Sequence, residues 1–319
     1  MDIRKLTEDI LRETEKIIVG KADRIRLITM AVLANGHVLL DDLPGVRKTT
    51  LVKTVSLALG CDSGRIQFVP DLLPSDILGM QIYNQKIGDF QLRKGPVMTN
   101  ILLADEINRA IPRTQSALLE AMEERQVSID GERFPLPEPF LVLATQNPVE
   151  SESTFRLPAA QMDRFLIRIS MGYPAPEEER EMLRRVGDDI PFHTVRPVTS
   201  AAELTAAQKE IAAVHVSDAV ADYIVAIADR PRNHPQLTMG ASPRATRGLY
   251  RAAKVWAAMD GRDYATPDDV KALARPVLEH RLALKSNARF SGATAASVLA
   301  EILEQVPAAP DGEKLADER

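Results

Sequence analysis

Lys48 and Thr49 open an apolar-periodic segment directly after a Pro-Gly turn, within the run HVLLDDLPGVRKTTLVKTVSLALG from His37 to Gly60. The order reads as strand, loop, helix. A helix N-terminus offers unpaired backbone N–H groups and a partial positive charge, so phosphates settle there, and Lys48 adds a full charge beside them. The Thr49 hydroxyl can hold a magnesium ion. The sequence pattern for this chemistry is G-x-x-x-x-G-K-[ST]. Asp42 stands at its first glycine and Arg47 at its last, so only Gly45, Lys48 and Thr49 are orthodox. The candidate phosphate contacts are Pro44, Gly45, Val46, Arg47, Lys48, Thr49 and Thr50. The bland alternative is ordinary turn and capping chemistry, which needs no ligand.

A second group of candidates ends the apolar run NILLADEINRA. Ile101 to Ala104 read as a strand buried on both faces, and Asp105 and Glu106 terminate it. In open parallel sheets ligands bind outside the carboxyl ends of the strands, where the phosphate loop also lies. Asp105 is therefore placed to hold magnesium, and Glu106 to polarise a water for in-line attack on a γ-phosphate. Capping of the next helix is the competing explanation. Asn147, at the end of the next buried strand, offers an amide that could orient the attacking water, or simply an Asn-Pro turn. Arg164, before the final strand, and Arg244, at a helix start, could be surface charge. An arginine supplied to a γ-phosphate from a neighbouring subunit or a mobile lid is the functional alternative.

The remaining chemistry-bearing residues point elsewhere. The five histidines show no metal-ligand spacing, and His37 in an apolar strand reads as a packed histidine. Cys61, the only cysteine, and Trp256 read as packing residues. No metal beyond magnesium is implied.

The elements that must position these residues alternate between strand and helix. Residues 3–17 and 22–35 read as helices, 38–40, 65–69, 101–104, 140–145 and 165–170 as strands, and Pro112 to Glu124 as a helix begun by proline. Between them, 70–95 reads as an insertion of short irregular pieces, and Asp130-Gly131 as a two-residue hairpin turn. Tyr173 to Pro176 reads as a linker. Beyond it the pattern is helical, near 177–186, 201–213, 217–229, 243–259 and 267–280. The expected architecture is an α/β domain with a parallel sheet over 1–175, a smaller helical domain over 176–306, and a disordered tail over 307–319.

With 319 residues, 45% hydrophobic and 27% charged, the chain has the composition of a soluble globular protein of two domains. A net charge of −5 and the lack of a Lys/Arg block argue against nucleic acid as the main partner. A single cysteine excludes an intrachain disulfide framework and fits a reducing cytoplasm. The N-terminus is charged and amphipathic rather than a signal peptide, and no run of apolar residues is long enough to span a membrane.

Taken together, ILLADEINRA, RTQSALLEAMEE, LATQNPVE, LPAAQMDRFL and GASPRA, in this order, resemble the MoxR family of AAA+ ATPases. RIQFVPDLLPSDILG is similar to a stretch particular to that family. The resemblance covers nearly the whole chain. It implies a P-loop core with five parallel strands, a helix-2 insert near 70–95, a hairpin before sensor 1 at 126–136, and a helical lid. By the family pattern Lys48 and Thr49 belong to Walker A, Asp105 and Glu106 to Walker B, Asn147 to sensor 1, Arg164 is the arginine finger and Arg244 sensor 2. Ile18, Val19 and Gly20 resemble the segment that covers the adenine. The resemblance further implies ATP and Mg2+ as cofactors, a homo-oligomeric ring that is usually a hexamer, and a chaperone-like role on a protein client. Metal insertion into enzymes is one theme, and a partner with a von Willebrand factor A domain is another. Arg47 departs from the family, which usually has glycine there. That bulky cation motivates a rival reading, a nucleotide-binding scaffold with impaired hydrolysis. A nucleic-acid remodeller is the third reading.

Overall fold

The computed structural model describes residues 1–41, 48–146, 154–185 and 190–308. Candidates Pro44, Gly45, Val46, Arg47 and Asn147 lie outside the described residues, as does the tail from 309 onward.

In chain order the first part comprises α1 (Ile3–Thr14), α2 (Ala22–Leu33), β1 (Val38–Asp41), α3 (Lys48–Ala58), β2 (Ser63–Gln67), α4 (Pro74–Leu78), β3 (Gly79–Asn84), β4 (Asp89–Lys94) and β5 (Ile101–Asp105). It continues with α5 (Pro112–Glu124), β6 (Gln126–Ile129), β7 (Glu132–Pro135), β8 (Leu141–Gln146), α6 (Ala159–Met162), β9 (Ile167–Ile169) and α7 (Pro176–Arg185). Five strands form one sheet in the order β2-β5-β8-β1-β9. The pairs β2/β5, β5/β8 and β1/β8 are parallel.

This order follows from the apolar runs. Ile101, Leu102, Leu103 and Ala104 are all at most 1% exposed, as are Val38, Leu39 and Leu40. A strand buried on both faces must be internal, and each such side chain removed from water contributes roughly 2 kcal/mol. His37 joins this core. Its Nδ1 accepts the Val142 N–H at 3.0 Å, which leaves Nε2 to donate to the Met122 carbonyl at 3.1 Å, and its ring meets Phe140 edge-on.

Gly60 ends α3 with φ +60, and a Cβ there would collide with the Thr199 carbonyl. At the β6/β7 hairpin Asp130 and Gly131 have φ of 51° and 86°. Both central residues are left-handed, as a two-residue turn with the twist of its strands requires. The stretch expected to be irregular is instead α4 followed by a regular antiparallel hairpin, β3 with β4. Cross-strand pairing explains the difference: Tyr83 stacks edge-on against Phe90 at 5.3 Å, while Gly88 supplies the left-handed turn residue.

The second part comprises α8 (Ala201–Ile211), α9 (Asp218–Asp229), β10 (Leu237–Met239), α10 (Pro243–Met259), α11 (Pro267–Leu278), β11 (Ala283–Leu284), α12 (Ser286–Phe290) and α13 (Ala295–Gln305). To the expected helices the structure adds α12, α13 and the short antiparallel pair β10/β11. Side-chain caps start the helices where the sequence offers them. Ser242 accepts the Ala245 N–H to open α10, and Thr266 with Asp269 forms a capping box on α11.

The chain falls into two compact units. The strand-bearing unit holds Leu6–Pro158 and Ile169–Thr205, and the helical unit holds Met1–Lys5, Ala159–Arg168 and the chain from Ala206 onward. Among the described residues no helix is long and apolar enough to cross a membrane.

Candidate nucleotide site

Strand register gathers the polar residues of the strand-bearing unit at one edge of the sheet. Gln67 pairs with Asp105, Leu40 with Thr145, and Asp41 with Gln146, so β1, β2, β5 and β8 all end at the same level. Parallel strands make this unavoidable. Every carboxyl end emerges on one side, and α3 starts there with Lys48, half-buried, and Thr49, exposed.

Asp105 and Glu106 are held together by a hydroxyl that sequence reasoning did not single out. Thr145 Oγ1 donates to Asp105 Oδ1 at 2.7 Å and accepts the Glu106 N–H at 2.7 Å. Glu106 has φ 55 and ψ 50, a left-handed conformation that costs a non-glycine residue on the order of 1–3 kcal/mol. That turn aims the side chain away from the strand direction. Its Oε2 accepts from Gln67 Nε2 and from Arg109 Nη1, both at 2.9 Å. Asp105 Oδ2 in turn faces Arg65 Nη2 at 2.8 Å. Arg65 and Gln67 were legible in principle, because two residues apart on a strand share a face; Thr145 sits just before the Gln-Asn-Pro end of its strand.

Behind the turn, Gln115 is 1% exposed and spreads its amide over the carbonyls of Ile107, Ala110 and Phe155 at 3.2, 3.0 and 2.9 Å. The segment following Glu106 is thus tied to the chain around Phe155, whose own N–H donates to Asn108 O.

Beside α3 lies a cavity of about 440 Å³ lined by Ile17, Ile18, Val19, Thr50, Tyr173 and Met182 among others. Its size falls in the range of small-molecule sites, and its walls are mainly apolar with few polar groups, as a flat heteroaromatic base requires. Gly20 turns the chain out of this wall with φ +70. Lys21 Nζ then reaches the Tyr173 carbonyl at 3.2 Å, and Arg24 Nε donates to Ser170 O at 2.9 Å. These two bonds fasten the segment 170–174 over the cavity. Tyr173 and Pro174, at the start of the stretch that the sequence presents as a linker, form part of the wall together with Met171.

The residues present fit a magnesium nucleotide. A helix start with Lys48 suits the phosphates, the apolar cavity suits the base, and Asp105 is a hard oxygen donor. Among the described residues no group of three or more His, Cys, Asp or Glu could hold a metal by itself. Magnesium needs no such group, because it is held by one or two carboxylates plus substrate phosphates.

Arg164 and Arg244 belong to the helical unit. They are brought near one carboxylate: Arg244 Nη1 is 3.9 Å from Asp163 Oδ2, and Asp163 directly precedes Arg164. Ser242 Oγ also reaches both oxygens of Asp163 at 2.9 Å.

The chain is similar to known proteins over most of its length. A model of the ATPase family associated with various cellular activities (AAA) matches residues 37–167, and a model of the AAA lid domain matches residues 229–302. YeaC of Bacillus subtilis, described as uncharacterized, is 46% identical over 305 residues, covering 96% of this chain and 95% of that protein. Chaperone MoxR1 of Mycobacterium tuberculosis is 44% identical over 308 residues, covering 94% of this chain and 81% of that protein. A solved structure of a candidate ATPase from Cytophaga hutchinsonii superposes with a TM-score of 0.91 at 39% identity, over 97% of this chain and 96% of that one. The chain therefore belongs to the MoxR family of AAA+ ATPases.

Proposed function

We propose that this protein binds ATP with Mg2+ at the carboxyl edge of its sheet, hydrolyses it, and uses the cycle to remodel, mature or activate a protein complex. The observation that supports this reading is the Thr145 hydroxyl, which ties Asp105 and Glu106 together at the carboxyl edge of the sheet, where α3 begins with Lys48. Lys48 and the loop Pro44 to Arg47 hold the phosphates, with Thr50 at the edge of the base cavity. Thr49 and Asp105 would hold the metal, which when bound would neutralise charge on the phosphates. Glu106 takes the proton of the attacking water, and Asn147 orients that water. Ile18, Val19 and Gly20 frame the base.

Arg164 acts on the nucleotide of a neighbouring copy and Arg244 answers to the γ-phosphate, so the working form is a homo-oligomer, a hexameric ring by the family pattern. Residues 1–175 serve as the nucleotide-binding core and 176–306 as the lid. The client is a protein, with a von Willebrand factor A domain protein as the helper, metal insertion as one outcome, and the cytoplasm as the compartment. Phosphate release by purified protein tests the reading. Turnover that depends on magnesium and disappears in Lys48→Ala supports it; nucleotide binding without turnover favours the scaffold reading, for which Arg47 in the phosphate loop is the reason.

A further inference from the structure

Strand β2 carries a cation aimed at the carboxylate assigned to the metal. We infer that Arg65 is a positioning residue that competes with the divalent ion for Asp105, so that the metal dependence of nucleotide binding is set in part by β2. The inference rests on the nucleotide site proposed above.

The geometry is specific. Arg65 and Gln67 lie on the same face of β2, and one nitrogen, Arg65 Nη2, sits 2.8 Å from Asp105 Oδ2 and 2.6 Å from Gln67 Oε1. The other oxygen of Asp105 takes the Thr145 hydroxyl. Both carboxylate oxygens are therefore engaged, one by a neutral donor and one by a full charge. The two partners differ in how readily they leave. Thr145 Oγ1 is pinned by the Glu106 N–H it accepts, whereas Arg65 is 48% exposed against 16% for Asp105. A guanidinium at that exposure can swing into water and regain its hydration, while the carboxylate stays in place.

A magnesium ion held by Asp105 would carry twice the charge and select hard oxygen, so it would repel the guanidinium and weaken its hold on the carboxylate. Without metal, the same ion pair neutralises a carboxylate that would otherwise repel the phosphates of the proposed site. Arg65 should thus favour metal-free nucleotide and oppose the metal. When it leaves Asp105, the Gln67 carbonyl loses its donor as well, and the Gln67 amide that rests on Glu106 is loosened.

The opposite signs provide the test. ADP, which is not turned over, is titrated into the full chain by calorimetry in chelator and across a magnesium series, for the parent and for Arg65→Gln, Arg65→Lys and Asp105→Asn with and without Arg65→Gln. Arg65→Gln should weaken metal-free ADP binding and lower the magnesium concentration for half-maximal tightening, each by about two- to fivefold, the strength of a half-exposed ion pair. Arg65→Lys should lie nearer the parent, and in the Asp105→Asn background the Arg65 change should have no effect. Shifts of the same sign, or none, overturn the inference and leave the nucleotide site standing. A parent that binds no ADP in either condition removes that site and the inference with it.

Discussion

Arg281 places its Nε 2.7 Å from Asp163 Oδ1 and spends its remaining donors on the carbonyls of Asp163, Phe165, Leu166 and Val277, so one guanidinium clamps the backbone on both sides of Arg164. The side chain is fully enclosed, at 2% exposure. Burial pulls its pKa down, and the hydrogen bond and charge of Asp163 oppose that shift. Removing the guanidinium takes the nearest cation from Asp163, which keeps Ser242 and the more distant Arg244, and takes a buried donor from four carbonyls at once. Arg281→Ala should therefore destabilise the helical unit by about 3–5 kcal/mol in chemical unfolding. Asp163→Asn should cost less, because the carbonyl contacts survive. A loss below about 1 kcal/mol for Arg281→Ala would show that water replaces the clamp.

Glu106→Gln keeps the shape of the side chain but removes the base. It should bind ATP as the parent does and hydrolyse it at least a hundredfold more slowly, as expected for loss of general-base assistance. Binding by calorimetry and turnover by phosphate release, measured on the same preparation, check both halves. Undiminished turnover would mean that another group activates the water.

Arg164→Ala should lower turnover on the order of a thousandfold if the arginine completes a neighbour's site. The mixing experiment is sharper. Inactive Lys48→Ala chains combined with inactive Arg164→Ala chains should regain activity, and the parent's rate per chain should rise with protein concentration. A dilute monomer working at full rate would assign Arg164 a structural role.

Cys61 is half-buried, its Sγ 3.6 Å from the Leu59 carbonyl, and burial with the nearby Asp62 charge pushes its thiol up to about 11 from 9.0. The thiolate is the reactive form, so at pH 8 only about a thousandth of the side chain reacts, roughly a hundredfold less than a free thiol. Alkylation followed by mass spectrometry should be slow at pH 8 and accelerate steadily up to about pH 11. Fast labelling at pH 8 would indicate that the segment around Cys61 opens in solution.

The apolar runs and turn residues of this chain determined its elements almost alone. Ile101 to Ala104 had the pattern of an interior strand, Pro112 that of a helix start, and Asp130-Gly131 that of a hairpin turn, because each is a matter of local sterics and of burying an uninterrupted apolar stretch. Where strands end was equally local, so Asp105 and Glu106 were legible as the two carboxylates at the end of β5. What surrounds their carboxylates was not. Thr145 lies 40 positions from Asp105, and Arg65 lies 40 positions before it, so only the pairing of β2 and β8 on either side of β5 brings a hydroxyl and a guanidinium to the same carboxylate. The left-handed turn of Glu106 is likewise a tertiary outcome. Its cost is local, while the bonds from Gln67, Arg109 and Thr145 that hold it come from different elements. The same holds for Arg281, which a sequence presents as one arginine among many and which the packing of the helical unit encloses against Asp163. Long-range partners decide charge neutralisation, and a linear pattern does not record them.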